Sequence, residues 1–174
     1  MREIIRDGQI VGDDWTVLTL ADGDDAGSVA IPEGPILVPL AVWTARRAAL
    51  VSRNDVGVWI ASHERPEPLR DDVSRLTVIA IDFPGFSDGR GYSIAWNLRT
   101  RLGFEGELRA IGDVLRDQLF YMKRVGFNAF ATRPDRNIHD ALKGLSDFSR
   151  SYQASWDQKL PLFRRHGHAA RVPA

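Results

Sequence analysis

The segment Ile81-Asp82-Phe83-Pro84-Gly85-Phe86-Ser87-Asp88-Gly89-Arg90-Gly91-Tyr92-Ser93 holds the densest set of residues able to do chemistry. Gly85, Gly89 and Gly91 permit unusual backbone angles and close approach of a ligand. Backbone amides around Gly91–Ser93 suit an anion at a helix start, with Arg90 adding a charge-assisted contact. The candidate cradle is therefore Asp88, Gly89, Arg90, Gly91, Tyr92 and Ser93, holding a small phosphate- or carboxylate-like anion. The competing reading is a tight strand-to-helix connection whose glycines only allow the turn. The segment fits neither a phosphate-binding loop of the GxxxxGK[ST] type nor a GxGxxG fingerprint.

Other titratable residues have structural readings beside the chemical ones. Asp82 and Asp113 are the acid–base candidates, and Arg109 and Arg133 are further anion forks. Asp82, Asp88 and Asp113 together could converge on a divalent cation. Against this, Asp82 pairing with an arginine, Asp88 in the turn and Asp113 capping a helix account for all three, so no metal is expected. Glu105, Glu107 and Arg109, with Arg99 and Arg101 before them, read as a salt-bridge network. His63 and His139 stand alone, and His166 and His168 fall in the tail. Trp96 lies off the apolar stripe of its helix and, if exposed, would be a partner contact. No cofactor fingerprint or nucleophile–base arrangement stands out.

Composition narrows the classes. The chain has no cysteine among 174 residues, which removes disulfides, thiolate nucleophiles and Cys-held clusters. Its 23 basic and 23 acidic residues cancel, leaving no global field to gather nucleic acid or an anionic membrane. No apolar run approaches the roughly 20 residues of a membrane helix, and the start MREIIRDGQIV lacks a secretory signal pattern. A cytoplasmic protein is expected, with a homodimer as the default assembly.

The elements that must position these residues are well punctuated. Ile4-Ile5 and Ile10-Val11 flank the turn pair Asp7-Gly8, predicting a hairpin, and Trp15–Leu20 is a third strand candidate. Apolar runs at Ile36–Leu40, Val56–Ala61, Thr77–Phe83, Leu108–Ile111 and Phe127–Thr132 alternate with helical stretches. Ile94, Ala95, Leu98 and Leu102 mark a helix that begins near Ser93 and stops at Gly103. Leu115, Leu119 and Met122 mark a second, capped by Asp113 and closed by Lys123, Arg124 and Gly126, and Asn137 caps a third. The expected fold is α/β: a mainly parallel sheet of about five strands built from consecutive βα units, helices on both faces, with a small N-terminal antiparallel hairpin. A partial (βα) barrel is the alternative. One α/β domain is assigned to residues 1–155, with 1–35 as hairpin flap and 36–155 as βα core. Residues 156–174 form a C-terminal arm, docked through Leu160, Leu162 and Phe163 if at all.

The stretch IDFPGFSDGRGYSIAWNLRTRLGFEGELRAIGDVLRDQLFYMKRVGFNAF, residues 81–130, resembles the bacterial domain-of-unknown-function family nine-three-four. The likeness rests on F-S-D-G-R-G-Y-S, G-E-L-R-A-I-G-D-V and D-Q-L, with GVWIAS and DGQIVGDDW extending it over most of the chain. Matching positions are Asp82, Phe86, Asp88, Gly89, Arg90, Gly91, Ser93, Arg99, Gly106, Glu107, Arg109, Gly112, Asp113, Asp117 and Gln118. Such proteins are commonly encoded beside the assimilatory sulfite reductase hemoprotein. The resemblance thus implies an accessory protein of sulfite reduction that binds the reductase, its electron donor or a small anion. The alternative is an enzyme, an oxidoreductase by association, acting on a small anion held at Asp88–Ser93.

Overall fold

In the computed structural model, which describes residues 2–165, eight strands form one sheet ordered β2-β1-β8-β7-β6-β5-β4-β3. The strands are β1 (Arg2–Arg6), β2 (Gln9–Asp13), β3 (Thr16–Val17), β4 (Ile36–Pro39), β5 (Val56–Ile60), β6 (Val78–Phe83), β7 (Glu107–Gly112) and β8 (Ala129–Phe130). Neighbours from β3 through β8 are parallel, whereas β1 runs antiparallel to both β2 and β8. The mixed, mainly parallel α/β class and the N-terminal antiparallel pair are as expected; the strand count is eight rather than about five. The additional strands come from the N-terminal stretch. Its hairpin turns at Asp7 (φ 51°) and Gly8 (φ 78°) and then joins β8. Thr16–Val17 pairs with Ile36–Leu37 at the opposite edge.

The parallel strands follow one another without reversal, so every right-handed crossover places its helix on the same face. Helices α1 (Leu40–Leu50), α2 (Arg90–Thr100), α3 (Arg116–Val125) and α4 (Ile138–Lys143) accordingly contribute to a single large core. Trp43, Leu98, Leu119 and Met122 pack there against Val58, Ile79, Ile81, Phe83 and Leu108. Helices on both faces are thus corrected to helices on one face, because that arrangement needs a reversal of strand order that this chain lacks.

The other face curls upon itself. β2 ends at Asp13 and β3 begins at Thr16, yet they are the two opposite edges. Eight flat strands would hold the edges roughly 34 Å apart at about 4.8 Å per strand. Three residues reach at most about 11 Å. The sheet must therefore bend until its edges nearly meet, and the partial barrel is the arrangement formed. Its inside is filled by Ile4, Leu37, Val78, Ala80 and Ile111, with Trp15, Val11, Val17 and Trp59 packed against them. Trp59 Nε1 donates to the Leu18 carbonyl at 2.8 Å, tying β5 to the chain beyond β3.

After α4 the chain folds back along α3. Ser155 Oγ donates to the Arg124 carbonyl at 2.7 Å, and the Arg99 guanidinium lies 5.0 Å from the Trp156 ring. Trp156 anchors this segment, Leu160 and Phe163 are exposed, and the described residues end with the short helix α5 (Leu162–Arg165). His166 and His168 lie outside the described residues.

Candidate functional site

In a curled parallel sheet, the loops after the carboxyl ends of the strands form the rim where sites collect. Here the rim is Ser62 and His63 after β5, Asp82 near the end of β6 with Pro84–Gly89 after it, Gly112 at the end of β7 with Asp113 after it, and Arg133 after β8.

Asp88 and Arg90 are brought together at once. Arg90 donates to Asp88 from Nε (3.0 Å), Nη2 (2.7 Å) and its backbone N–H (3.1 Å). Ser62 Oγ donates to the same carboxylate at 2.6 Å and accepts from Arg90 Nη2 at 3.0 Å. The guanidinium and hydroxyl hold the Asp88 carboxyl well below the usual carboxylate range. The Arg90 guanidinium and backbone N–H at the start of α2 thus already face an anion that belongs to the chain, the Asp88 carboxylate. α2 begins at Arg90, three residues before the predicted Ser93, with Gly89 as its cap.

None of the three loop glycines has a positive φ. Gly91 is buried against β6 instead: a Cβ there would lie 2.6 Å from Phe83 Cζ and 3.1 Å from Ile81 Cγ2. Its missing side chain serves helix-on-strand packing. Tyr92 turns to the helix layer, with its ring 5.5 Å from Phe83 and 5.2 Å from Tyr121, and its hydroxyl is pushed up by burial. Ser93 is exposed at the mouth of a hollow of about 390 Å³ beside Arg90, with His63, Arg65, Asn97 and Arg101 on its other walls.

Asp113 does not cap α3; the extended residue Leu115 precedes that helix. The carboxylate of Asp113 instead accepts the Phe86 N–H at 2.9 Å and Arg133 Nη1 at 3.1 Å. Arg133 also forks onto Asp135 at 2.9 and 2.8 Å. Gln118 Nε2 donates to the Phe86 carbonyl at 3.2 Å, and its Oε1 accepts the Leu115 N–H at 3.0 Å. Both polar backbone groups of Phe86 are therefore held by side chains from the β7–α3 unit, while its ring is 55 % exposed. Phe86 and Gln118 entered the sequence reading only as positions of the resemblance. Their partnership, 32 residues apart, leaves no local pattern.

Asp82, expected against an arginine, accepts no hydrogen bond among the described residues. It is half-buried on β6, and burial, with the Asp88 charge beside it, raises its pKa above the usual carboxylate value. Arg109 does not join the rim. It lies inside the curl, 2 % exposed, donating to Glu107 at 2.6 Å and to Asp13 at 2.8 Å. Its Nη2 is buried and finds no partner among the described residues. Arg6 reaches Glu107 at 3.5 Å from outside. The expected ion network thus forms around Arg109 and Glu107, but Arg99 is elsewhere, bonded to the Gly126, Phe104 and Gly106 carbonyls and Asn128 Oδ1.

The rim therefore holds two ion-paired posts, Ser62–Asp88–Arg90 and Asp113–Arg133–Asp135, with Phe86 between them and Asp82 behind. Asp82, Asp88 and Asp113 do not gather, and among the described residues no group of three His, Cys, Asp or Glu could hold a metal ion. Trp96 is 39 % exposed on α2, where sequence had placed it off the stripe. No helix is long and apolar enough to cross a membrane among the described residues.

Compared with known proteins, residues 57–163, well over half of the chain, match a family model described as "Bacterial protein of unknown function (DUF934)". No curated protein and no solved structure matches the chain.

Proposed function

The chain belongs to this family, and from that premise we propose that the protein is an accessory factor of assimilatory sulfite reduction that acts by binding. Its rim loop would contact the reductase or the reductase's electron donor. Phe86 carries the reading. A single exposed phenylalanine is ordinary. One whose N–H and C=O are both clamped by Asp113 and Gln118 is an aromatic anchor already fixed in place, so little ordering remains to oppose association. The posts on either side supply a polar border around it, the arrangement interfaces use. The partner's identity rests on the family resemblance, whose members are commonly encoded beside the reductase hemoprotein.

Co-purification tests it. Tagged protein should retain the reductase hemoprotein or its electron donor from host lysate, and Phe86→Ala should lose that capture with its melting temperature unchanged. A deletion strain should grow poorly with sulfate or sulfite as sole sulfur source. Normal growth of the deletion, or equal capture by Phe86→Ala, would overturn the proposal.

One observation favours the enzyme reading, an oxidoreductase among the options. Arg65 and Arg101 line the hollow beside Arg90 without an ion pair among the described residues, with Glu64 and Glu67 on the same walls, and their guanidinium donors could take a small anion such as sulfite. Thermal shift with sulfite and phosphate, on the native chain and Arg65→Ala, tests the anion site that reading needs: stabilisation lost in the variant supports it, and no shift removes it.

A further inference from the structure

A hollow of about 320 Å³ opens where the last turn of α3 meets the segment that folds back along that helix. Four cations line it: Lys123 and Arg124 from α3, Arg150 from the returning segment and Arg165 from α5. Asp157 is the one carboxylate on its walls among the described residues. The carboxyl end of α3 adds about half a negative charge. The walls still keep an excess of about two and a half positive charges.

These cations are not matched elsewhere. Lys123 and Arg150 are exposed and form no ion pair among the described residues. Arg165 gives its Nε and Nη2 to the Leu160 and Ser151 carbonyls, at 2.8 and 3.3 Å, which are neutral acceptors. Arg124 is the fixed part of the site. Its side chain is 8 % exposed, its Nη2 donates to the Gln153 carbonyl, and Asp157 stands 3.5 Å from its Nε. That Nε is nevertheless buried without a hydrogen-bond partner among the described residues. Buried donors ordinarily have acceptors. The Ser149 and Ser151 hydroxyls, on the same walls, also donate to no protein acceptor among the described residues. The walls are held against each other: the Phe148 ring lies 5.0 Å from that of Phe120 on α3, and Ser155 Oγ donates to the Arg124 carbonyl.

Donors without acceptors, beside positive charge that one carboxylate does not balance, suit an oxyanion. A phosphoryl group brings about −1.5 to −2 charges at pH 7 and three acceptor oxygens, which meets both needs. The volume is at the small end of ligand sites, about 300–1,000 Å³, so the molecule carrying that group is small. We propose that this hollow binds a small phosphate monoester, its phosphoryl oxygens facing Arg124 Nε, Lys123 and Arg150 and its polar remainder facing the serine hydroxyls. The site shares no residue with the rim and does not depend on the accessory role.

Isothermal titration calorimetry of the full chain at constant ionic strength tests it, with glycerol 3-phosphate, inorganic phosphate and uncharged glycerol as probes. Glycerol 3-phosphate should bind saturably at one site, inorganic phosphate several-fold more weakly, and glycerol not at all. Lys123→Glu and Arg150→Glu change exposed side chains and spare Arg124, which also braces the Gln153 carbonyl. Each should weaken the ester by about tenfold. Arg70→Glu alters net charge equally from an exposed position outside the hollow and should bind as the native chain does. Absence of saturable binding, native affinity in either reversal at the hollow, an equal loss in Arg70→Glu, or inorganic phosphate bound as tightly as the ester would each overturn the proposal.

Discussion

Arg109 is the polar residue whose loss should be felt most. Replaced by methionine, it removes the nearest cation from two carboxylates that are themselves nearly inaccessible, Asp13 at 2 % and Glu107 at 10 % exposed. That leaves them only the more distant Arg2 at 4.0 Å and Arg6 at 3.5 Å. Arg109 itself is 2 % exposed, so water does not take over its role. Breaking a buried pair by removing one partner costs about 3–5 kcal/mol, because a charge is left uncompensated. Methionine keeps most of the volume, so the cavity contribution is small. At about 2.1 cal/mol/K per residue, 174 residues give an unfolding entropy near 0.37 kcal/mol/K, so Arg109→Met should lower the melting temperature by roughly 8–14 °C. Replacing all three residues together, as Asp13→Asn, Glu107→Gln and Arg109→Met, should recover most of the loss. The orphaned Nη2 of the native guanidinium is then also gone. Urea unfolding, run as a mutant cycle, reads this directly. A loss under about 1 kcal/mol would refute the view that Arg109 neutralises a buried network.

Four further substitutions have outcomes set by local geometry. Gly91→Ala should lower the urea midpoint, since overpacking against Phe83 costs about 1–3 kcal/mol and better helix propensity returns at most about 1. Gly85→Ala, where a Cβ meets nothing within 4 Å, should be close to neutral. Asp72 is fully buried between Arg47 (Nη2 at 2.6 Å) and Trp43 (Nε1 at 3.0 Å), and Arg47 lowers its pKa. A lowered folded-state value stabilises above the ordinary carboxylate range and is lost as pH falls through it, so native stability should drop below about pH 4. Asp72→Asn should be less stable at neutral pH and lose less on acidification, as thermal melts between about pH 6 and 2 would record. Asp82 has the opposite sign. Its raised value means stability present below the ordinary carboxylate pKa and lost as pH rises, so Asp82→Asn should be more stable than the native chain at pH 7 and indistinguishable from it near pH 3. A destabilised Asp82→Asn at pH 7 would show a hydrogen-bonding role for that carboxylate.

What could be read from sequence was local. The Asn137 cap accepts the His139 N–H at 2.9 Å, as residue type and position suggested. Gly103 and Gly126 stop their helices at φ 70° and 121°. β6 stands where a continuous apolar run predicts a strand covered on both faces. The undercount of strands has a physical cause: a strand of two residues exists only because its partner does. Thr16–Val17 is ordered by Pro35 and Leu37, whose carbonyls accept from Thr16 and Leu18 at 3.0 and 2.9 Å. The run Trp15–Leu20 marks a strand candidate, but nothing inside it announces that only Thr16–Val17 pairs or that it forms an edge of the same sheet. The direction of crossover, which decides one helical face or two, is likewise absent from periodicity, since a helix shows the same apolar stripe on either side of a sheet.

The site was legible in its residues and opaque in its pairings. Gly-x-Gly beside an arginine reads as an anion cradle because amides and a guanidinium are what an anion needs. The same requirement is met by a carboxylate two residues away, and Asp88 meets it with help from Ser62, which lies 26 positions upstream. Arg99 was assigned to carboxylates because those are the acceptors that side-chain letters display. Its actual acceptors are mainly backbone carbonyls, which every residue carries and no letter reveals. Asp88, Arg90, Asp113 and Arg133 are paired with one another, Asp82 stays half-buried, and the Phe86 ring faces solvent with its backbone held by Asp113 and Gln118. An apolar side chain held in that way gains by association and has no acid–base or nucleophilic chemistry of its own. On the proposed binding role, Phe86 rather than Arg90 is the residue whose loss should separate function from fold.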